Sequence, residues 1–557
     1  MQFKKTVIAS TLLGLLAGCG STQPSQDTTV EIYGTKEPFA KEAVYFVMTD
    51  RFVDGDPTNN YEEQGGDYPT FGGRLEGENG QFANVGYMGG DLQGVLDNAA
   101  FIADMGFTAV WLTPIVDNPD EAFAGGEPIT FGGAFKDGGK TGYHGYWANN
   151  FYVEDEHYVS EGLDYKAYTT AMREKHGLKS VFDIVGNHGS PSFTMPIDQP
   201  KFGELYDINN TLVADHQNLK PEELDPNNPL HAFYHNFEDI MQLSNLNDQN
   251  PALRDYMIGS YLHWIEQGAD AFRIDTIKHV PHGFWKDVAD RVRAKHPEFY
   301  MFGESFSYDA NFIAQHTLPK NGSISVLDFP MQSAFIDVFQ KNSGYERMAE
   351  VLHLTHGPYN NPYDLTTFYD NHDMPRMDGD DSTFINANNW LFTARGIPVV
   401  YQGSEMGFMR GTAEHAGNRN FYGQANIEVA KEHVIFENLK EIANVRKTTP
   451  ALQRGLQWNL SLKGDSASFY RVLQESDVAQ TALVLLNKGS EPLSFDVAEH
   501  MQPGEWVEQL TGEKRQISEG DSLNSVVDAN GVQVWVRNGK LSDAAFEAEL
   551  LSAMAVQ

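Results

Sequence analysis

Cysteine is all but missing from this chain: across 557 residues there is one, Cys19. A single thiol cannot close an internal disulfide, so the fold must rest on packing and polar contacts, with or without bound metal. Positive charge is scarce too. Against 77 acidic residues stand 40 basic ones, a net charge of −37, which repels phosphate backbones and anionic lipid surfaces and excludes nucleic acid as a partner. Long apolar runs are absent: residues 7–16 are too few to span a bilayer, and no long uninterrupted stretch follows. What is present in quantity is core-forming material. Hydrophobic residues make up 41% of the chain, enough for a large core and, at this length, for more than one domain.

The first residues read as an export signal: Lys4 and Lys5, the apolar run 7–16, then Leu16-Ala17-Gly18-Cys19. This resembles a bacterial lipoprotein signal, in which the cysteine is lipidated and becomes the mature N-terminus. The expectation is an exported protein, lipid-anchored through Cys19 to a bacterial membrane, at the outer membrane or cell surface, and touching lipid in no other way. The polar residues 20–29 read as a tether.

Beyond residue 43, short apolar runs alternate with amphipathic stretches, the pattern of an α/β protein with a parallel sheet. Candidate strands are 44–48, 109–112, 180–185, 271–274, 300–303, 366–369 and 399–401. Residues 188–251, rich in Asn, Asp, Pro and aromatics with little periodicity, are too long for an ordinary connection and read as a small inserted domain. A second loop, 117–141, is loaded with glycine and is expected to border a cleft. After residue 449, alternating runs separated by turn residues indicate a terminal β-sandwich. Residues 542–555 have the pattern of an amphipathic helix. The expected division is signal peptide 1–18, anchor and linker 19–40, catalytic barrel 41–188 and 252–448, inserted domain 189–251, β-sandwich 449–540, and a helix or tail at 541–557.

Four strand-end segments hold the polar residues suited to chemistry: Asp183-Ile-Val-Gly-Asn187-His188, Arg273-Ile-Asp275-Thr-Ile-Lys278-His279, Phe302-Gly303-Glu304, and Asp370-Asn371-His372-Asp373. With Trp111-Leu-Thr-Pro114, Tyr401-Gln-Gly403 and Tyr143-His144-Gly145-Tyr146-Trp147, they resemble the signature regions of the alpha-amylase superfamily of glycoside hydrolases. The resemblance runs from about residue 43 to residue 407. It implies a (β/α)8 TIM barrel with a small domain inserted after the third strand and a C-terminal antiparallel β-sandwich. It also implies Asp275 as nucleophile, Glu304 as acid/base and Asp373 as the carboxylate that grips sugar hydroxyls.

The residues themselves suit those roles. Arg273 precedes Asp275 by two positions on one strand, so both side chains point to the same face and the guanidinium can keep the carboxylate ionised. Glu304 follows apolar Met301 and Phe302, surroundings that favour a retained proton. The resemblance further implies that His144, Tyr146, Asp183, His188, Arg273 and His372 serve substrate binding around the nucleophile. It places Lys278 and His279 at a leaving-group subsite characteristic of polymer-acting members. An aromatic face suits a pyranose because the axial C–H surface of the sugar is apolar.

Residues 49–60, with Gly89-Gly90-Asp91, resemble a calcium loop of the cyclodextrin glycosyltransferases and related amylases. The implied Ca²⁺ ligands are Asp54, Asp56, Asn59, Asn60, Asp91 and the Gly89 carbonyl, a set of hard oxygens of the kind that ion prefers. A second family site would use Asn187 and the His279 carbonyl, but Asn245 stands where an aspartate is usual. Asn150 and Ser305 also depart from the family pattern.

The leading expectation is an endo-acting, retaining hydrolase of alpha-1,4-glucosidic bonds in starch, glycogen or maltooligosaccharides, acting as a monomer. Two alternatives stand beside it: a glucan transglycosylase of the cyclodextrin glycosyltransferase type, and a non-catalytic glucan-binding lipoprotein. Chain length favours hydrolysis over transfer, because those transferases usually carry two further domains.

Overall fold

The computed structural model describes residues 30–133 and 136–555. Cys19, the signal-like residues before it and the polar stretch 20–29 lie outside the described residues. Between Val44 and Tyr401 the chain lays down the parallel strands β1 (Val44–Val47), β2 (Ala109–Leu112), β3 (Lys179–Val185), β4 (Ala271–Asp275), β5 (Tyr300–Gly303), β6 (Ser325–Val326), β7 (Thr366–Thr367) and β8 (Ile397–Tyr401). They form one 8-stranded sheet in the order β6-β5-β4-β3-β2-β1-β8-β7. A parallel bridge between Leu327 and Thr366 closes the ring.

The strands are near-continuous apolar runs because helices cover their outer faces and packed side chains fill the interior. Phe46 of β1 stacks on Trp111 of β2 with centroids 3.8 Å apart, and Trp111 meets Phe302 of β5 edge-on at 5.6 Å. The expected barrel is therefore present. Its sixth strand was not legible in the sequence, since Ser325–Val326 is too short to show a period. The run read as 366–369 pairs with β8 only over Thr366 and Thr367.

Between β3 and β4, His188–Pro191 pairs antiparallel with Leu243–Asn245, and Glu204–Tyr206 with Leu212–Asp215, forming the small domain inserted after the third strand. Phe123, from the glycine-rich loop, shares a buried cluster with Trp147, Met195, Phe202 and Leu243. This ties that loop to the inserted domain along one side of the barrel mouth. Beyond the helix Val434–Thr448, antiparallel strands from Leu456 to Asn538 build a 6-stranded sheet and a separate 2-stranded one. The last helix, Ala544–Met554, is capped by Asp543 and buries Phe546 and Leu550 in this domain's core. Phe546 stacks on His500 at 4.1 Å, so the helix acts as a lid on the terminal domain.

The expected linker, 19–40, is too long at its C-terminal end. Ile32 is fully buried and bridges to Gln474, and Phe39 stacks on Tyr300 with centroids 4.7 Å apart. Both are apolar side chains with a core to enter, so the chain joins the fold well before β1. Tyr300 opens β5, which places this entry at the strand-start end of the barrel.

One buried ion pair joins the barrel to neighbouring elements. Arg395, just before β8, places Nη1 2.6 Å from Asp328 beyond β6, and both side chains are inaccessible to solvent. The guanidinium also donates to the carbonyls of Val351 and Leu352, each at 3.0 Å. Replacing one partner strands a buried charge, so Arg395→Met is expected to lower unfolding stability by about 3–5 kcal/mol. Urea denaturation checks this, with Arg395→Met/Asp328→Asn expected to recover part of the loss.

Candidate active site

Residues two apart on β4 face the same way, so Arg273 and Asp275 both project into the barrel. From that position Arg273 Nη1 donates to Asp275 Oδ1 at 2.9 Å, to both oxygens of Asp183 at 2.9 and 3.0 Å, and to the Tyr146 hydroxyl at 3.3 Å. Its Nη2 stands 3.1 Å from Glu304 Oε2. Burial by itself would drive this guanidinium toward neutrality. Asp183, Tyr146, Glu304 and Asp275 reverse that and raise its pKa well above the ordinary arginine value. Asp183 also accepts hydrogen bonds from Trp111 Nε1 at 3.0 Å and Tyr146 Oη at 2.9 Å.

Parallel pairing of Ile274 with Gly303 sets β5 so that Glu304, one residue beyond the strand, comes level with Asp275. Thr276 links the two. Its φ of +47° is costly for a β-branched residue. That turn directs its N–H to Glu304 Oε2 at 3.2 Å, while its hydroxyl donates to Asp275 Oδ2 at 3.0 Å. Burial pushes the Glu304 pKa up to about 8, with Arg273 opposing the rise and Asp373 and Asp275 adding to it.

Asp373 enters from the loop after β7 and is held by Arg419, whose Nη2 lies 2.6 Å from Oδ1. Arg419 also donates through Nε to the His372 carbonyl at 3.0 Å and pairs with Glu414 at 2.7 Å. The Asp373 side chain keeps 28% exposure, against 9% for Asp275 and 7% for Glu304. It is the most solvent-facing of the three.

Asp275, Glu304 and Asp373 line one cavity of about 590 Å³, together with His144, Tyr146, His188, Lys278 and His279. Arg273, Asp183 and His372 are buried and stand behind that lining. His372 stacks under Tyr146, with centroids 5.6 Å apart. Burial lowers the pKa of His144, His188 and His372, so each is a neutral imidazole near pH 7. His144 Nε2, His188 Nδ1 and both ring nitrogens of His372 are buried without a hydrogen-bond partner. An unmet polar atom in such a place is an available contact for a hydroxyl-rich ligand.

Several lining residues were not found from the sequence. Asp239 of the inserted domain reaches His279 Nδ1 at 3.1 Å and accepts from Asn187 Nδ2 at 3.0 Å. Phe306, whose carbonyl accepts from Lys278 Nζ at 2.8 Å, lies two residues past Glu304. Arg419 and Glu414 come from the loop after β8, and Asp137 and Lys140 from the glycine-rich loop. Arg419 follows a short helical turn, Glu414–Ala416, well past the end of β8, so no strand-end pattern marks it. Asp239 lies in a stretch without periodicity.

The loop beside β1 holds a set of oxygens suited to a hard cation. Asp54 Oδ1, Asn59 Oδ1 and Asn60 Oδ1 are buried and unpartnered. A Cβ added at Gly89 would meet Asn60 Oδ1 at 2.4 Å and Asp54 Oδ2 at 3.0 Å, so this glycine lies hard against them. Asp91 is differently engaged, accepting the N–H groups of Gly55, Asp56 and Gly94 at 3.2, 2.9 and 2.6 Å. Asp56 accepts from the Thr58 N–H at 3.0 Å. At the second implied site, Asn187 is bonded to Asp239, and Asn245 donates to the Phe237 carbonyl at 3.2 Å.

This architecture has known counterparts. The family model for the alpha amylase catalytic domain matches residues 46–464. A cyclomaltodextrin glucanotransferase of Thermoanaerobacterium thermosulfurigenes is 29% identical over 507 residues, 87% of this chain, which spans 65% of that protein's length. Among solved structures, CldA, a cyclomaltodextrin glucanotransferase with a three-domain ABC distribution, superposes with a TM-score of 0.71 at 27% identity, covering 89% of this chain and 99% of that one. An Anoxybacillus alpha-amylase gives 0.67 at 25% identity, covering 91% and 99%. With three quarters of its length inside the catalytic-domain match, the chain belongs to the alpha-amylase family.

Proposed function

We propose that the chain cleaves alpha-1,4-glucosidic bonds within starch, glycogen or maltooligosaccharides, with retention at the anomeric carbon and water as the final acceptor. The supporting observation is the single buried guanidinium that contacts both Asp275 and Glu304 beside one cavity. Asp275, held by hydrogen bonds from Arg273 and Thr276, attacks the anomeric carbon. Glu304 gives its proton to the glycosidic oxygen as that bond breaks, leaving a glycosyl ester on Asp275. Water then attacks the same carbon, Glu304 takes its proton, and the ester bond opens. Asp373 holds sugar hydroxyls, Tyr146 supplies a stacking face, and the neutral histidines offer hydrogen bonds that strengthen as charge develops. A capture protein would have no use for a protonated acid beside a guarded carboxylate, which counts against the non-catalytic reading.

Transfer to a second glucan, instead of to water, is the alternative, and the names of the curated relatives favour it. Domain number does not weigh against it, since the three-domain CldA is itself a glucanotransferase. Calcium belongs to the same proposal. Asp54, Asn59, Asn60, Asp91 and the Gly89 carbonyl would hold it, and its charge would satisfy oxygens that otherwise lack partners. Asp56 caps its own turn and would take at most a secondary part. Lipid anchoring through Cys19 is also retained. Among the described residues no helix is long and apolar enough to cross a membrane, and a tether entering at Ile32 reaches the barrel at the end away from the cleft.

Glu304→Gln is expected to lower turnover of a long maltooligosaccharide by about 10³-fold while binding stays measurable; unchanged turnover would overturn the assignment. Because Glu304 must carry its proton to act as acid, kcat/KM should hold up to about pH 8 and decline above it. A pH–rate profile lacking that limb would reject the role. Amylose should yield linear sugars, whereas rings as main products would assign the chain to transfer. Chelation should lower the melting temperature and added Ca²⁺ restore it; no shift after verified metal removal would dismiss the loop as a calcium site.

A further inference from the structure

A second cavity, of about 370 Å³, opens beside the catalytic one, bordered by Tyr308, Ser333, Gln340, Met374, Pro375 and Asp378. Its walls continue segments that already carry chemistry. Met374 directly follows Asp373, and Tyr308 lies on the loop that leaves Glu304 through Phe306. Phe306 lines the catalytic cavity and Tyr308 the neighbouring one. Their rings meet edge-on with centroids 6.2 Å apart, and both rest on the buried ring of Phe329, at 4.7 and 6.0 Å.

One core ring therefore fixes two aromatic side chains that remain open to solvent in front, Phe306 at 37% and Tyr308 at 52% exposure. Such rings contribute less to the core than burial would give them, yet they are held in place from behind. The opposite wall includes a π-helical turn, Ile336–Gln340, a rare geometry that recurs at functional sites. The Gln340 side-chain oxygen accepts the Asp378 N–H at 3.1 Å, which orients that amide. Ser333 adds a hydroxyl and Asp378 a carboxylate.

The chemistry of this lining selects a neutral polyhydroxylated ligand. Two cations also border the cavity, but the Arg376 guanidinium is buried and donates to the carbonyls of Gln402 and Asn418, and the Lys341 ammonium is paired with Asp337 at 3.1 Å, so each already has its partner. An aromatic face with amide, hydroxyl and carboxylate groups around it fits a pyranose, and the volume lies in the range of small-molecule pockets.

We propose that this cavity binds a further glucose unit of the glucan, beyond the Phe306 end of the cleft, with Tyr308 as its stacking platform. The proposal rests on the α-glucan reading given above. Its place at that end follows from the edge contact between Phe306, which lines the catalytic cavity, and Tyr308.

Calorimetric binding of linear maltooligosaccharides of increasing length to Glu304→Gln protein tests it. Affinity should rise with length, and adding Tyr308→Ala should weaken the longest chains about tenfold while leaving maltotriose unchanged. Tyr308→Phe, which keeps the ring, should behave as the parent. Ser333→Trp, which fills the cavity from the opposite wall, should reproduce the loss and decides the matter if Tyr308→Ala fails to fold. Long chains bound within twofold of the parent by both cavity variants, or short and long chains weakened alike, would overturn the subsite while leaving the substrate reading intact. Absence of binding by any maltooligosaccharide to folded Glu304→Gln protein would remove both.

Discussion

A charged guanidinium enclosed in the middle of a protein is costly unless opposite charge surrounds it, and Arg273 organises this molecule around that requirement. Asp183 from β3, Asp275 from its own strand and Glu304 from beyond β5 each approach it, and Tyr146 adds a hydroxyl. Moving any of these strands along its axis would leave buried charge without a partner, a change worth several kcal/mol. The barrel register and the separation of the reactive carboxylates are thus fixed by one electrostatic constraint. Thr276, in its strained conformation, finishes the arrangement by bonding to both acids.

The same constraint divides the labour between similar groups. Asp275 keeps a close hydrogen bond to the guanidinium and another to a hydroxyl. Glu304 has an ion contact and one backbone N–H but sits where desolvation dominates, so its proton is retained at neutral pH. Asp373 is set apart, more exposed and tied to Arg419. Three carboxylates of one chemical type thus stand in three different environments, and the proposed division into nucleophile, acid and hydroxyl-binding group rests on that difference in burial and partners.

Around this core the outer parts shape access. The inserted domain brings Asp239, Ile240, Met241 and Leu243 to the cavity wall, and the glycine-rich loop brings Asp137 and Lys140. The small cluster of Phe123, Trp147, Met195, Phe202 and Leu243 locks those two segments together. The chain enters the barrel at the opposite, strand-start end, where Phe39 stacks on Tyr300. The proposed anchor at that end and the proposed glucan at the cleft would therefore not compete for space.

The sequence by itself determined seven of the eight barrel strands, the position of the insertion, and Asp275, Glu304, Asp373 and their companions as polar residues following apolar runs, while the closed barrel was implied by the family resemblance. It could do so because buried parallel strands are apolar throughout and polar residues at their ends stand out against them. Contacts between distant loops leave no such local trace. Asp239 lies 40 residues from His279, Arg419 lies 46 from Asp373, and Thr35 on the supposed linker bonds Asp364 across 329 residues. The two-residue β6 had no period to detect, and the pairing of Ile32 with Gln474 depends on a strand formed late in the chain. The Glu304 environment, the orphaned oxygens near Gly89 and the cavity at Tyr308 were likewise decided by tertiary structure, because burial and the positions of neighbouring charges exist only once the chain has folded.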